Sequence, residues 1–276
     1  MAVCLGINLK PDRELGRGAK LGTMALVADI SKWKLGGAIW IVGMIGVLAM
    51  TFVMLPVLIS QHPQRAPRVP VWVALVAASA QGGVFLALFV WGGAVFSPRV
   101  GLRAPVFEAL IAGHSLGAAL LPQLLPGIIG GLAAAIVPWY FTSHGLIFEI
   151  HTPQSLLVAV LYGGITEEIF MRWGLMTLLV WSGWRVLQRS HGQTSSAIVW
   201  AAIVISAVIF GAGHLPATHI LLGHLTRSTI ASVIAGGSVF GVIVGYLYRR
   251  YGLESAMVCH GLSHVLAYAA HRVSSN

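Results

Sequence analysis

Apolar positions in this chain come in long unbroken runs. Stretches of about 18 or more apolar residues, long enough to cross a bilayer as helices, recur at 35–60, 71–96, 117–141, 154–183, 196–214 and 228–248. A shorter run at 255–270 is a marginal seventh. The pattern predicts an all-α fold, a polytopic transmembrane helix bundle of seven to eight spans, the eighth being a re-entrant piece. The longest connection, about 97–116, leaves no room for a second soluble domain. A tail at 1–34 therefore precedes a single membrane domain at 35–276. Within the long connection, 106–112 reads as a surface-lying helix, and Pro122, Pro126 and Pro138 predict a kink in the third span.

Composition strengthens this reading. The 276 residues are 57% hydrophobic and 9% charged, with a mean hydropathy of +0.84, against roughly 25% charged residues in soluble domains. The net charge of +9 does not point to nucleic acid, because the basic residues form no face with interleaved aromatics. They gather in the tail (Lys10, Arg13, Arg17, Lys20, Lys32, Lys34) and after the second, fourth and sixth spans (Arg99 and Arg103, Arg185 and Arg189, Arg249 and Arg250). By the positive-inside rule these groups share one side. The expectation is an integral protein of the cell's inner membrane with a cytoplasmic N-terminus, Arg65, Arg68 and Arg227 running against the rule. The first 34 residues lack the pattern of a cleaved secretory signal, and Cys4 with Cys259 do not make a disulfide framework.

Against this apolar background the ionisable residues stand out. The chain holds only eight acidic residues, yet Glu167 and Glu168 are adjacent in the middle of the fourth span. Each carboxylate at the centre of a bilayer helix costs on the order of 2.5 to 3.5 kcal/mol. Thr152 and Pro153 read as the cap and first turn of that helix. Glu168 and Arg172 are four residues apart, about 40° around an α-helix, in the favourable order for an ion pair. Glu167 is rotated by about 100° and needs another partner. Three candidates are His214, at the end of the fifth span, and His260 and His264, four apart on one face of the seventh. Glycines 211, 213 and 261 lie beside them and permit close approach.

One membrane histidine is as well explained by structure as by chemistry. Two carboxylates, an arginine and three histidines on three spans point to a site. The remaining histidines (62, 114, 144, 151, 191, 219, 224 and 271) fall in loops or near span ends, where solvated roles dominate. Gly237, Gly241 and Gly245 place small residues on one face of the sixth span, read as packing within the chain. Straight helices raise a difficulty, because at about 1.5 Å per residue His214 would lie roughly 13 Å above Glu167 and His264. The remedies are a fifth span set too early, or a bend at Gly211 and Gly213 followed by buried non-helical chain.

The order Glu167-Glu168-x-x-x-Arg172, Phe210-x-x-x-His214, His260-x-x-x-His264 resembles the three motifs of the CPBP family of membrane proteins, which includes the type II CAAX prenyl endopeptidases and bacteriocin-immunity-like proteins. The resemblance spans about 154–268, and Val100 to Arg103 is weakly similar to a further family element. It implies a glutamic intramembrane endopeptidase that needs no metal or other cofactor. Its partners would be the lipid bilayer and a membrane-associated peptide or protein, in some relatives a prenylated CAAX tail. Carried over residue by residue, Glu167 activates water with His214, Glu168 and Arg172 form a structural ion pair, and His260 with His264 stabilises the oxyanion. The family usually has asparagine or a related polar residue where this chain has His264, and histidine can also donate a hydrogen bond.

Other readings compete. Glu167, His214, His260 and His264 are all acceptable zinc ligands, so a metal-dependent membrane protease uses the same cluster, although no His-Glu-x-x-His motif is present. Ser263 and Cys259 are weaker nucleophile candidates. A transporter or immunity protein would use the same buried groups without catalysis.

Overall fold

The computed structural model describes residues 31–61, 67–144 and 153–274. The expectations for Cys4, His62, Arg65, His151, Thr152 and nearly all of the tail fall outside these residues. Within them all regular structure is helical. The chain runs through α1 (Lys32–Gln61), α2 (Val71–Val100), α3 (Pro105–Ala112), α4 (Leu116–Ala134) and α5 (Ile136–Ser143). It continues through α6 (Pro153–Val158), two π-helical segments (Ala159–Glu167 and Ile169–Met176) and α7 (Thr177–Val186), all one uninterrupted helix. Finally come α8 (Ser196–Gly213), α9 (Leu215–Leu222), α10 (Arg227–Arg250) and α11 (Leu253–Ser274).

Among the described residues, five helices are long and apolar enough to cross a membrane: Lys32–Gln61, Val71–Val100, Leu116–Phe141, Ser196–Leu222 and Arg227–Arg250. The expected fourth and seventh spans do form long helices, Pro153 through Val186 and Leu253–Ser274. Neither is among the five. The physical reason is composition: these two helices carry Glu167, Glu168, Arg172, Glu254, His260 and His264, and these polar groups dilute their apolar runs.

Both site-bearing helices are enclosed by the others. The first π segment packs against α1 and α11, the second against α2. Buried Trp173 donates its indole N–H to Val90 O (3.1 Å) on α2, and Thr166 Oγ1 donates to Gly43 O (2.7 Å) on α1. Helix α11 lies along α4, where a methyl group on Gly131 would come within 3.0 Å of Leu262. The third span breaks at Ala135, three residues before Pro138, whose ring disfavours a helical carbonyl one turn earlier. Pro122 and Pro126 stay within helix α4.

The glycine stripe of α10 packs inside the chain. A methyl group on Gly237 would lie 2.5 Å from Gly211 Cα, and one on Gly241 would lie 2.8 Å from Ala207 Cα, so α8 and α10 meet backbone to backbone.

Two local expectations are corrected. The fourth helix is not α-helical through its motif, since both sides of Glu168 follow i→i+5 bonding, a geometry concentrated at functional sites. The chain beyond His214 is helical: α9 follows a single turn residue, and the span Ser196–Leu222 is 27 residues long. The fifth span therefore extends past His214 to Leu222, in line with the first of the two remedies and against a non-helical continuation. Pro216, at the second position of α9, suits the first turn of a helix, where no N–H is needed.

Away from the motifs, a second polar cluster ties α3 to α11. Glu254 Oε1 accepts from Val106 N (2.8 Å) and Phe107 N (3.1 Å), at the start of α3. Glu108 Oε1 accepts from Ala104 N (3.0 Å) and its Oε2 from Arg103 Nε (2.8 Å). Gln123 Oε1 on α4 accepts from Ser255 N (3.2 Å). The expected helix near 106–112 is thus present and clamped.

Candidate functional site

The motif helix fixes its own charges first. Glu168 is fully buried and its Oε2 lies 3.2 Å from Arg172 Nε, the expected i, i+4 pair. Arg172 also donates to Gly241 O (3.3 Å), and its guanidinium sits 4.9 Å above the Phe210 ring. The same carboxylate makes a second contact that the helical spacing did not foretell. Its Oε1 lies 2.7 Å from His260 Nδ1. Of the two adjacent carboxylates, the one hydrogen-bonded to a histidine is therefore Glu168. Helical spacing registers partners on the same helix, whereas this one comes from α11.

His260 and His264 stack at 4.9 Å between ring centroids, as residues four apart on α11 can. Both present Nε2 to the motif helix. A methyl group on Gly163 would come within 2.8 Å of His264 Nε2 and 3.5 Å of His260 Nε2. Gly163 is buried and lies about one turn before Glu167 in the same π segment, so the two nitrogens approach the Glu167 side of that helix. Glu167 is half-buried and, among the described residues, held by no hydrogen bond or ion pair.

His214 is half-buried in the turn between α8 and α9. Its Nδ1 lies 2.8 Å from Phe210 O. A carbonyl only accepts, so Nδ1 carries the proton, and in the neutral ring Nε2 keeps its lone pair. The rings of His214 and His260 both contact Phe210, at 4.7 Å and 5.9 Å. The x-x-x spacing of Phe210 and His214 thus does two jobs: it fixes a tautomer and floors the site.

A cavity of about 50 Å³ joins His214, His260 and His264, enough for water molecules. Its remaining walls are Val137, Pro138, Phe141, Phe210, Val233, Gly237 and Phe240. The three histidines are therefore brought together, and the height difficulty disappears because α9 carries the fifth span past His214. Glu168, paired with Arg172, holds His260 from outside the cavity, and Glu167 is not among the residues that line it.

Two site residues escaped the sequence reading. Phe240 meets His260 edge-on at 4.6 Å, and Gly163 is the surface against which both Nε2 atoms rest. The available signal for Gly163 was the Gly163-Gly164 pair one turn before the glutamates. The rival nucleophiles are otherwise placed: Ser263 Oγ donates to His260 O (2.7 Å), and Cys259 is a buried thiol behind α4. His114, His144, His191, His219 and His224 are exposed, as expected. Among the described residues, no group of three or more His, Cys, Asp or Glu side chains is arranged to hold a metal ion.

Residues 149–266 match the family model described as Type II CAAX prenyl endopeptidase Rce1-like, bearing out the resemblance read from the three motifs. The match contains the π segments, His214, His260 and most of α11. No curated protein and no solved structure gives a match.

Proposed function

We propose that this integral membrane protein, a relative of the type II CAAX prenyl endopeptidases, is a glutamic intramembrane endopeptidase that cleaves a membrane-associated peptide or protein. Glu167 takes a proton from water, assisted by the Nε2 lone pair of His214. The resulting hydroxide attacks the scissile carbonyl, and His260 and His264 stabilise the oxyanion. Glu167 then returns the proton to the leaving amine. No metal takes part.

The observation that carries this reading is the convergence of His260 Nε2 and His264 Nε2 on Gly163, on the Glu167 side of the motif helix, with His214 across the same cavity. Two nitrogens meeting one point can polarise one carbonyl oxygen. Glu167, which makes no hydrogen bond or ion pair among the described residues, is available to exchange protons with water. The apolar walls from α5, α8 and α10 suit a substrate presented from the membrane, and a prenylated CAAX-type tail belongs to that class. The basic groups at the span ends support a cytoplasmic N-terminus in the inner membrane.

Purified protein in detergent, incubated with a library of membrane-active and prenylated peptides and read by mass spectrometry, tests the assignment. Cleavage is expected to persist with a divalent chelator and to vanish in Glu167→Gln. Chelator-sensitive cleavage restored by added zinc contradicts it.

A further inference from the structure

In the carbonyl-polarising role His260 must donate from Nε2, yet its Nδ1 already faces a carboxylate at 2.7 Å. A carboxylate oxygen accepts, so Nδ1 holds a proton, and a neutral ring would then leave Nε2 bare. A neutral ring that donates from Nε2 would instead require a protonated Glu168 that donates to Nδ1. With Glu168 ionised, the two requirements are met together when both nitrogens are protonated and the positive ring has a counter-charge within contact. Glu168 is that contact, fully buried and 2.7 Å away. The other charged and titratable groups around His260 are Arg172, ion-paired with the second oxygen of Glu168, Glu167 on the same motif helix, His264 stacked on the ring, and His214, which lines the same cavity. The remaining ring neighbours, Phe210 and Phe240, are apolar and supply no charge.

We infer that Glu168 is a positioning residue acting through His260: it turns Nε2 toward Gly163 and Glu167 and balances a doubly protonated ring while the oxyanion forms. This rests on the proposed proteolytic function and gives Glu168 a task beyond its ion pair. Protons balance, since His260 donates a hydrogen bond and ends the step protonated as it began. The proton exchanged with substrate stays with Glu167.

The ion-pair role and the positioning role separate in Glu168→Gln/Arg172→Met. That pair of changes removes both charges, preserves side-chain bulk, and leaves an amide oxygen to accept from His260 Nδ1. If Glu168 serves only Arg172, the double variant restores activity. The expected result is a fall in kcat on the order of 100-fold, typical of weakening one oxyanion donor, with KM within about threefold and unchanged thermal unfolding. A kcat within about threefold of the parent, or a loss confined to KM, overturns the inference. Should the double variant fail to fold, 15N-histidine NMR of the parent decides, with His260→Gln assigning the signal. A ring protonated at both nitrogens, with Nδ1 hydrogen-bonded, supports the inference, and a neutral ring protonated at either nitrogen alone overturns it. Parallel measurement of Glu167→Gln separates the two levels, because undiminished cleavage there overturns the function itself.

Discussion

Among the described residues two clusters of buried carboxylates differ in what they bind. In one, Glu254 and Glu108 spend their oxygens on the backbone N–H groups of Val106, Phe107 and Ala104 and on Arg103. In the other, Glu168 touches only side chains, Arg172 and His260, and a cavity with two further histidines opens beside it. Both clusters contain carboxylates at most 6% exposed, so burial of charge alone does not mark a site. The partner does. A carboxylate that satisfies main-chain donors stabilises a helix start, whereas one that holds a histidine at a cavity prepares a group for proton transfer or charge stabilisation.

The sharpest way to break this contrast is to truncate one carboxylate from each cluster. Glu168→Ala is expected to cost about 3 to 5 kcal/mol, because it leaves Arg172 buried without its counter-charge, and to remove cleavage as well. Thermal unfolding in detergent together with peptide turnover reads both effects, and a stable, active Glu168→Ala would erase the distinction. Glu254→Ala is expected to cost less, about 1 to 3 kcal/mol, for the two main-chain donors left unsatisfied at the start of α3. Turnover per folded molecule should stay at the parental value; a selective loss of kcat would place Glu254 in the wrong cluster.

Smaller changes sharpen the functional half. Gly163→Ala adds a methyl group 2.8 Å from His264 Nε2, and turnover should fall roughly 10- to 100-fold, as expected for about 1 Å of misplacement in catalytic geometry. Unfolding temperature is the control, since a fall in stability of equal size would make Gly163 only a packing residue. The smallest effect is expected for His264→Asn, which restores the family's usual residue. Asparagine also donates a hydrogen bond, so kcat should remain within about tenfold of the parent, while His264→Ala should lose more.

Much of this architecture was legible in the sequence. Long apolar runs located every long helix among the described residues, and the residue spacing found Glu168 with Arg172 and grouped the three histidines. What stayed hidden depends on relations between helices. Hydropathy marked the end of the fifth span at His214, where Gly213, His214 and Pro216 interrupt the apolar run, yet the helix resumes through Leu222. Nothing in an α-helical wheel announces the π geometry around Glu168 or the reach of His260 across from α11. Glu108 and Glu254 passed unnoticed for a related reason: their partners are backbone groups, which have no side-chain signature.

The most direct test of the central claim is turnover of Glu167→Gln beside the parent protein on a peptide that the parent cleaves, in the presence of a chelator. The substitution keeps size and removes the proton acceptor. The account predicts a folded variant with turnover reduced by about 100- to 10,000-fold, the usual contribution of a general base. Turnover equal to the parent's would contradict it, and the base would then have to be sought among the cavity histidines.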